Sequence, residues 1–190
     1  MRYPKDHKEQ VQRQLLQSSG SHAKAHGFAA SGVDALAGAA GLTTGSLYKH
    51  FDNKDALFSK LIKTELDQTM RRFDGVKMGD NLALQKALAG YLSMGHVRDA
   101  ATGCPVPSLA AEVARGSDDV KSAFETGIMD LKKVLAGLTG SDSTAWTLMA
   151  QNVGAVMIAR AMLHESAKRE ILTAVRTAGT DLLEAAQSTI

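Results

Sequence analysis

The sequence predicts an all-α fold, an N-terminal three-helix helix-turn-helix domain followed by a larger helical domain, and three observations predict it. Apolar residues recur at helical spacing along most of the 190 residues, no run of alternating β-branched residues interrupts them, and glycine, serine and proline punctuate the periodic stretches where helices start and stop. The spacing places helices at roughly 6–26, 33–40, 44–50, 54–73, 81–98, 106–115, 118–138, 143–164 and 167–187. Gly27 follows the first and Gly41 the second, the Asp52-Asn53 pair caps the fourth, and Ser141-Asp142-Ser143 brings cap oxygens to the eighth. The domains expected are residues 1–53, a headpiece, and 54–190, a helical body.

Size and composition narrow the functional classes. A chain of this length buries a real core without staples, and its single cysteine, Cys104, excludes an intramolecular disulfide. A reducing cytoplasm is the expected setting: Met1 to Gln14 is polar and charged, and no run of 18 uninterrupted apolar residues exists. The net charge of +2 is too small to identify a nucleic-acid binder, so its distribution matters more. Residues 1–63 hold nine Lys and Arg against five acids, a net +4 that leaves −2 for the remainder, and four of the six histidines fall there too. That sign suits a headpiece that meets phosphate.

The chemistry concentrates between Val33 and Lys54. Ala37 and Ala40 keep one helix face small, Gly41 supplies a left-handed turn, and Leu42 and Leu47 fill the angle between two short crossing helices. Thr43 is placed to cap the second of these. Its first turn, Thr44-Gly45-Ser46, is then free of bulk and able to approach a base edge or phosphate. Tyr48, Lys49 and His50 follow with a phenol, an ammonium and an imidazole, all hydrogen-bond donors to phosphate or base acceptors. Lys54 opens the next helix, where the dipole adds to its own charge.

Gly45-Ser46-Leu47-Tyr48-Lys49-His50-Phe51, followed by a polar pair and Lys54-Asp55-Ala56-Leu57, resembles the end of the N-terminal domain of TetR-family regulators. The resemblance runs from about residue 10 to 62 and includes Gly27-Phe28 and Ala40-Gly41-Leu42. It implies that Thr44, Ser46 and Lys49 face bases while Tyr48, His50 and Lys54 hold phosphates. Two departures stand out. The first helix is lightly packed around Ser18, Ser19, Gly20, His22 and Ala23, and Gly32 stands where the family often has a phosphate-binding hydroxyl, so that contact passes to Ser31 or is lost.

The body reads as a pairing and sensing domain. Trp146, Leu148, Met149, Val153, Val156, Met157, Ile158, Met162 and Leu163 cover nearly the whole circumference of the eighth helix, which therefore needs burial on more than one side. Ile171, Leu172, Val175, Ala178, Leu182 and Leu183 recur at helical spacing on the next, so two helices per subunit can form a four-helix seam across a twofold axis. Such a homodimer, expected to use Trp146, Val153, Val156, Met157, Arg160, Val175, Leu182 and Leu183, is also what the resemblance implies. A large monomer with a central helix is the alternative. Tyr91, Met94, Cys104, Phe124 and Met129 of the middle helices, with Met149 and Asn152 of the eighth, offer the apolar lining and few polar groups of an effector pocket, though ordinary core has the same composition. Gly103-Cys104-Pro105 resembles a segment of a TetR-like subgroup in which some members sense oxidants or electrophiles through the cysteine. A small buried residue is the plainer reading.

Other chemistries lack partners in the sequence. Ser21-His22-Ala23-Lys24 fits Ser-x-x-Lys without its companion motifs, and His22 and His26 share a helix face without an evident third metal ligand. The expectation is a non-enzyme without metal or cofactor that binds a double-stranded DNA operator and a small effector and avoids membranes. It acts as a repressor released by that effector. The alternative is a helical protein-interaction adaptor or small-molecule-binding protein that does not bind DNA.

Overall fold

The computed structural model describes residues 5–187, and among these it is helical without strands. The helices are α1 (Lys5–His26), α2 (Val33–Gly38), α3 (Thr44–Tyr48), α4 (Lys54–Met70), α5 (Asn81–Tyr91), α6 (Met94–Arg98), α7 (Val106–Val113), α8 (Asp118–Thr139), α9 (Asp142–Ala161) and α10 (Glu165–Gln187). The first four residues of the expected headpiece lie outside the described residues. The local signals act as the sequence implied: Asn53 Oδ1 accepts from Ala56 N at 2.7 Å, Ser141 Oγ accepts from Thr144 N at 3.2 Å, and Gly27 and Gly41 take φ of 85° and 68°.

One helix is corrected. The stretch 81–98, expected to be continuous, breaks at Leu92, because Ser93 turns extended and its hydroxyl accepts from His96 N at 3.2 Å to start α6. The stretch 54–73 also ends early, its last turn tightening into a 3-10 helix at Arg71–Phe73.

The chain forms two compact units that do not follow sequence order. The first comprises Met1–Asp67 with Ala100–Gly127, so α7 belongs with the helix-turn-helix. Its buried residues include Leu15, Leu36, Leu47, Leu57, Leu61 and Leu109. Polar groups tie it as well. Lys24 donates to Gly103 O at 3.0 Å and pairs with buried Glu65, while the Glu112 carboxylate of α7 accepts from the backbone amides of Phe28 and Ala29 at 3.1 and 2.5 Å. Those two amides follow the end of α1 and would otherwise lack helical acceptors. Gly127 lets α8 approach α4, since a Cβ there would sit 2.5 Å from Leu66 Cδ1.

The second unit comprises Gln68–Asp99 with Ile128–Ile190. Phe73, Leu84, Leu88, Leu131, Leu135, Ala145, Leu148 and Leu183 form its core. Arginines join its helix ends: Arg176 Nε donates to Leu92 O at 3.1 Å, and Arg160 Nη2 to His96 O at 2.9 Å. Helix α9 buries Leu148, Asn152, Ala155, Val156 and Ala159 on one face and leaves Trp146, Met157 and Ile158 exposed. No described helix is long and apolar enough to cross a membrane.

Candidate nucleic-acid interface

The α2–α3 corner is built from small residues around a few large ones. Leu36, Ala37, Ala40, Leu47 and Phe51 are buried, and α1 anchors the corner from behind, where Ser19 Oγ donates to Leu36 O at 2.9 Å and Gln14 Nε2 to Ala40 O at 3.0 Å. Between the helices, Ala40 N and Leu42 N both reach Ala37 O at 3.0 Å, a tight turn that the left-handed Gly41 completes. Ser19, one of the residues that made α1 look lightly packed, is thus a buried fastener.

Helix α3 opens with the predicted cap: Thr43 is extended and its Oγ1 accepts from Ser46 N at 3.2 Å. Thr43 and Gly45 are exposed, Thr44 and Ser46 half-buried. Beyond its chain neighbours the first atom that a Cβ on Gly45 would meet is Thr43 Oγ1, 4.0 Å away, so the front of this turn is open. Thr44 donates its hydroxyl hydrogen to Asp34 of α2, a tie invisible in the sequence. Its oxygen lone pairs remain free to accept from a base amino group.

The donors after this turn differ in availability. Tyr48, 47% exposed, and Lys49 face solvent. His50 is half-buried, and its Nδ1 is buried without a hydrogen-bond partner among the described residues. Burial, then the charges of Lys8 and Lys49, hold its pKa below the ordinary histidine value. Lys8, 42 positions upstream, thereby joins the basic group around His50; charge counting placed it in the headpiece but not beside this residue. Lys54 is largely engaged. Its ammonium donates to Ser31 O at 2.8 Å and Ala29 O at 3.3 Å and lies 4.9 Å from the centre of the Phe28 ring, which stacks on Phe58 at 4.0 Å. Ser31 is buried and donates to Gly27 O at 2.6 Å, and Gly32 starts α2 without a side-chain cap.

The residues expected to line an effector pocket are dispersed. Cys104 is 1% exposed and belongs with half-buried Phe124 to the first unit. In the second, Met129 is exposed, Met94 half-buried, and Met149 packs against the core. Tyr91 is buried with its ring edge-on to His96, whose Nδ1 donates to Tyr91 O at 2.7 Å. Only Asn152 of the seven lines the cleft between α5, α9 and α10, where Val175 and Arg176 also lie. Of the expected dimer residues, Trp146 and Met157 are exposed and Val153 and Arg160 half-buried, while Val156 and Leu183 sit in the subunit's own core and Leu182 packs against it. No group of three or more His, Cys, Asp or Glu able to hold a metal occurs among the described residues.

Comparisons place this geometry among known proteins. The family model of bacterial regulatory proteins, tetR family, matches residues 22–61, the span from late α1 into α4. An uncharacterized HTH-type transcriptional regulator, YfiR, of Bacillus subtilis is 25% identical over 88 residues, 46% of this chain and 42% of that protein. Among solved structures, the regulatory protein TetR from Rhodobacter sphaeroides superposes with a TM-score of 0.74 at 19% identity, over 90% of this chain and 98% of that one. A TetR-family transcriptional regulator from Cytophaga hutchinsonii gives 0.73 at 18% identity, over 97% and 98%. Reduced NemR from E. coli gives 0.72 at 18%, over 90% and 96%. At these identities the structural likeness concerns the fold, which is that of TetR-family structures, while residues 22–61 carry a helix-turn-helix that matches the model of bacterial regulatory proteins, tetR family.

Proposed function

We propose that the protein is a homodimeric transcriptional repressor that binds a near-palindromic DNA operator through α3 and leaves it when a small molecule occupies its helical body. The observation that carries the DNA reading is the open, side-chain-capped first turn of α3, with Thr44 and Ser46 at its edge and Tyr48, Lys49 and His50 following. Short hydroxyl side chains at the tip allow close approach to base edges, and the donors behind them suit phosphate oxygens. Gly45 adds no bulk.

The exposed Trp146, Met157 and Ile158 on α9 support pairing, because a stripe of large apolar side chains on one helix favours cover by a second copy. Pairing sets two copies of α3 about one duplex turn, ~34 Å, apart, which is why a near-palindrome is the expected target. Release requires differential affinity. An effector that binds the DNA-incompetent spacing about 100-fold more tightly shifts the equilibrium by ~2.7 kcal/mol.

The test is binding to a random duplex and to selected sequences across a salt series. A regulator shows a steep loss of affinity with salt and prefers sequences with twofold symmetry. Indifference to duplex DNA in dilute buffer would favour the adaptor reading instead.

A further inference from the structure

We infer that the cleft between α5, α9 and α10 binds a small amphiphilic carboxylate, its hydrocarbon body on an apolar floor and its charge between Lys86 and Arg176. This deepens the effector reading above and rests on it. The cleft lies wholly within the second unit and has a volume of about 370 Å³, inside the range of ligand pockets. Taking ~30 Å³ as the share of one water-sized group, roughly a dozen non-hydrogen atoms fill it.

The lining divides by chemistry. Leu88, Leu148 and Val175 form the apolar part, and Asn152, a buried amide on α9, is set among them. Lys86 of α5 and Arg176 of α10 are both exposed at the cleft, and no acidic residue lines it. Arg176 is held in place, since its Nε and one terminal nitrogen donate to Leu92 O. A tethered guanidinium and a lysine lining one cleft with an apolar floor favour an anion with a hydrophobic tail, and a carboxylate can accept from both cations. A second polar feature adjoins the wall. Gln151 Nε2 is buried without a hydrogen-bond partner among the described residues and lies 3.2 Å from where a Cβ on cleft-lining Gly179 would stand. A buried amide donor without a protein partner is uncommon in plain core.

The probe is decanoate, which has the required atom count, titrated by calorimetry into the full chain below micelle-forming concentrations, with decan-1-ol and decylammonium as uncharged and cationic counterparts. Decanoate is expected to bind once per chain, decan-1-ol about tenfold more weakly, and decylammonium not measurably, with Lys86→Gln costing decanoate about tenfold. Val175→Trp, which fills the cleft, abolishes binding. Lys86 is exposed, so its variant keeps the fold even if Arg176→Gln, which loses the tie to Leu92, does not. Equal affinity for the three compounds, or decanoate binding unchanged in both Lys86→Gln and Val175→Trp, overturns the assignment. Random-duplex binding measured on the same preparation separates the two readings. Duplex binding without decanoate binding removes the cleft alone, whereas decanoate binding without duplex binding keeps the cleft and removes the DNA reading.

Discussion

Lys24 Nζ lies 2.5 Å from Glu65 Oε2, and both side chains are only 3% exposed, an ion pair sealed between α1 and α4. Gly20 makes room for it, because a Cβ there would stand 2.3 Å from Glu65 Oε1. A buried charge that loses its partner costs about 3–5 kcal/mol, whereas a well-packed apolar replacement of both costs little. Glu65→Ala is therefore expected to lower the unfolding free energy by that amount in urea titrations, and Lys24→Met with Glu65→Leu to restore most of it. Gly20→Ala should cost ~1–3 kcal/mol through overpacking.

The Thr43 cap sets the start of α3. Thr43→Ala removes the acceptor for Ser46 N and is expected to cost about 1 kcal/mol in thermal unfolding and to weaken duplex binding, while Thr43→Ser preserves both. Duplex affinity unchanged in Thr43→Ala would mean that α3 does not need its capped form to bind.

His50 is expected to make duplex affinity pH-dependent. Burial, then the charges of Lys8 and Lys49, hold its pKa in the free protein below the ordinary histidine value, which favours the neutral form. Phosphate beside it favours the charged form, so binding takes up a proton, and affinity is expected to rise as pH falls through the histidine range. His50→Gln removes the slope. Stability moves the other way: a depressed folded pKa contributes stability above the unfolded value and loses it as pH falls through the folded one. Chemical denaturation at pH 7.5 and 5.5, with and without His50→Gln, checks that sign.

Lys54 holds the turn after α1 through the Ala29 and Ser31 carbonyls, and the resemblance also gives it a phosphate contact. Lys54→Ala is expected to lower the melting temperature, since the Ser31 and Ala29 carbonyls lose a donor, and to reduce the slope of log affinity against log salt by about 0.9. A lower melting temperature with an unchanged slope would assign Lys54 to the fold alone.

Met157→Glu and Trp146→Glu place charges on the exposed face of α9 without touching the buried one. Sedimentation should show a shift to monomer, with duplex affinity falling as the second headpiece is lost. A wild-type chain that is already monomeric at micromolar concentration would refute the pairing.

Much of the headpiece was legible because its determinants are local. Glycine at a left-handed turn, Thr43 one residue ahead of α3, and the buried Ala37, Ala40 and Leu47 act over a few residues and stand where the sequence put them, while Leu42 is only half-buried. The break at Ser93 was hidden by the same locality: a serine inside an apolar-periodic stretch is compatible with one helix or two.

The sequence by itself determined the helical class, the helix-turn-helix, its cap and the headpiece's likeness to the tetR family, since period, turn chemistry and motif are properties of short segments. Tertiary structure alone decided which side chains are already engaged: Lys54 on the turn 29–31, Thr44 on Asp34, Glu112 on the amides of Phe28 and Ala29, and Lys86 with Arg176 at one cleft. The reason is physical. A hydrogen bond or shared cleft between residues tens of positions apart depends on how helices pack, and the periodicity that makes each helix carries no record of its neighbour.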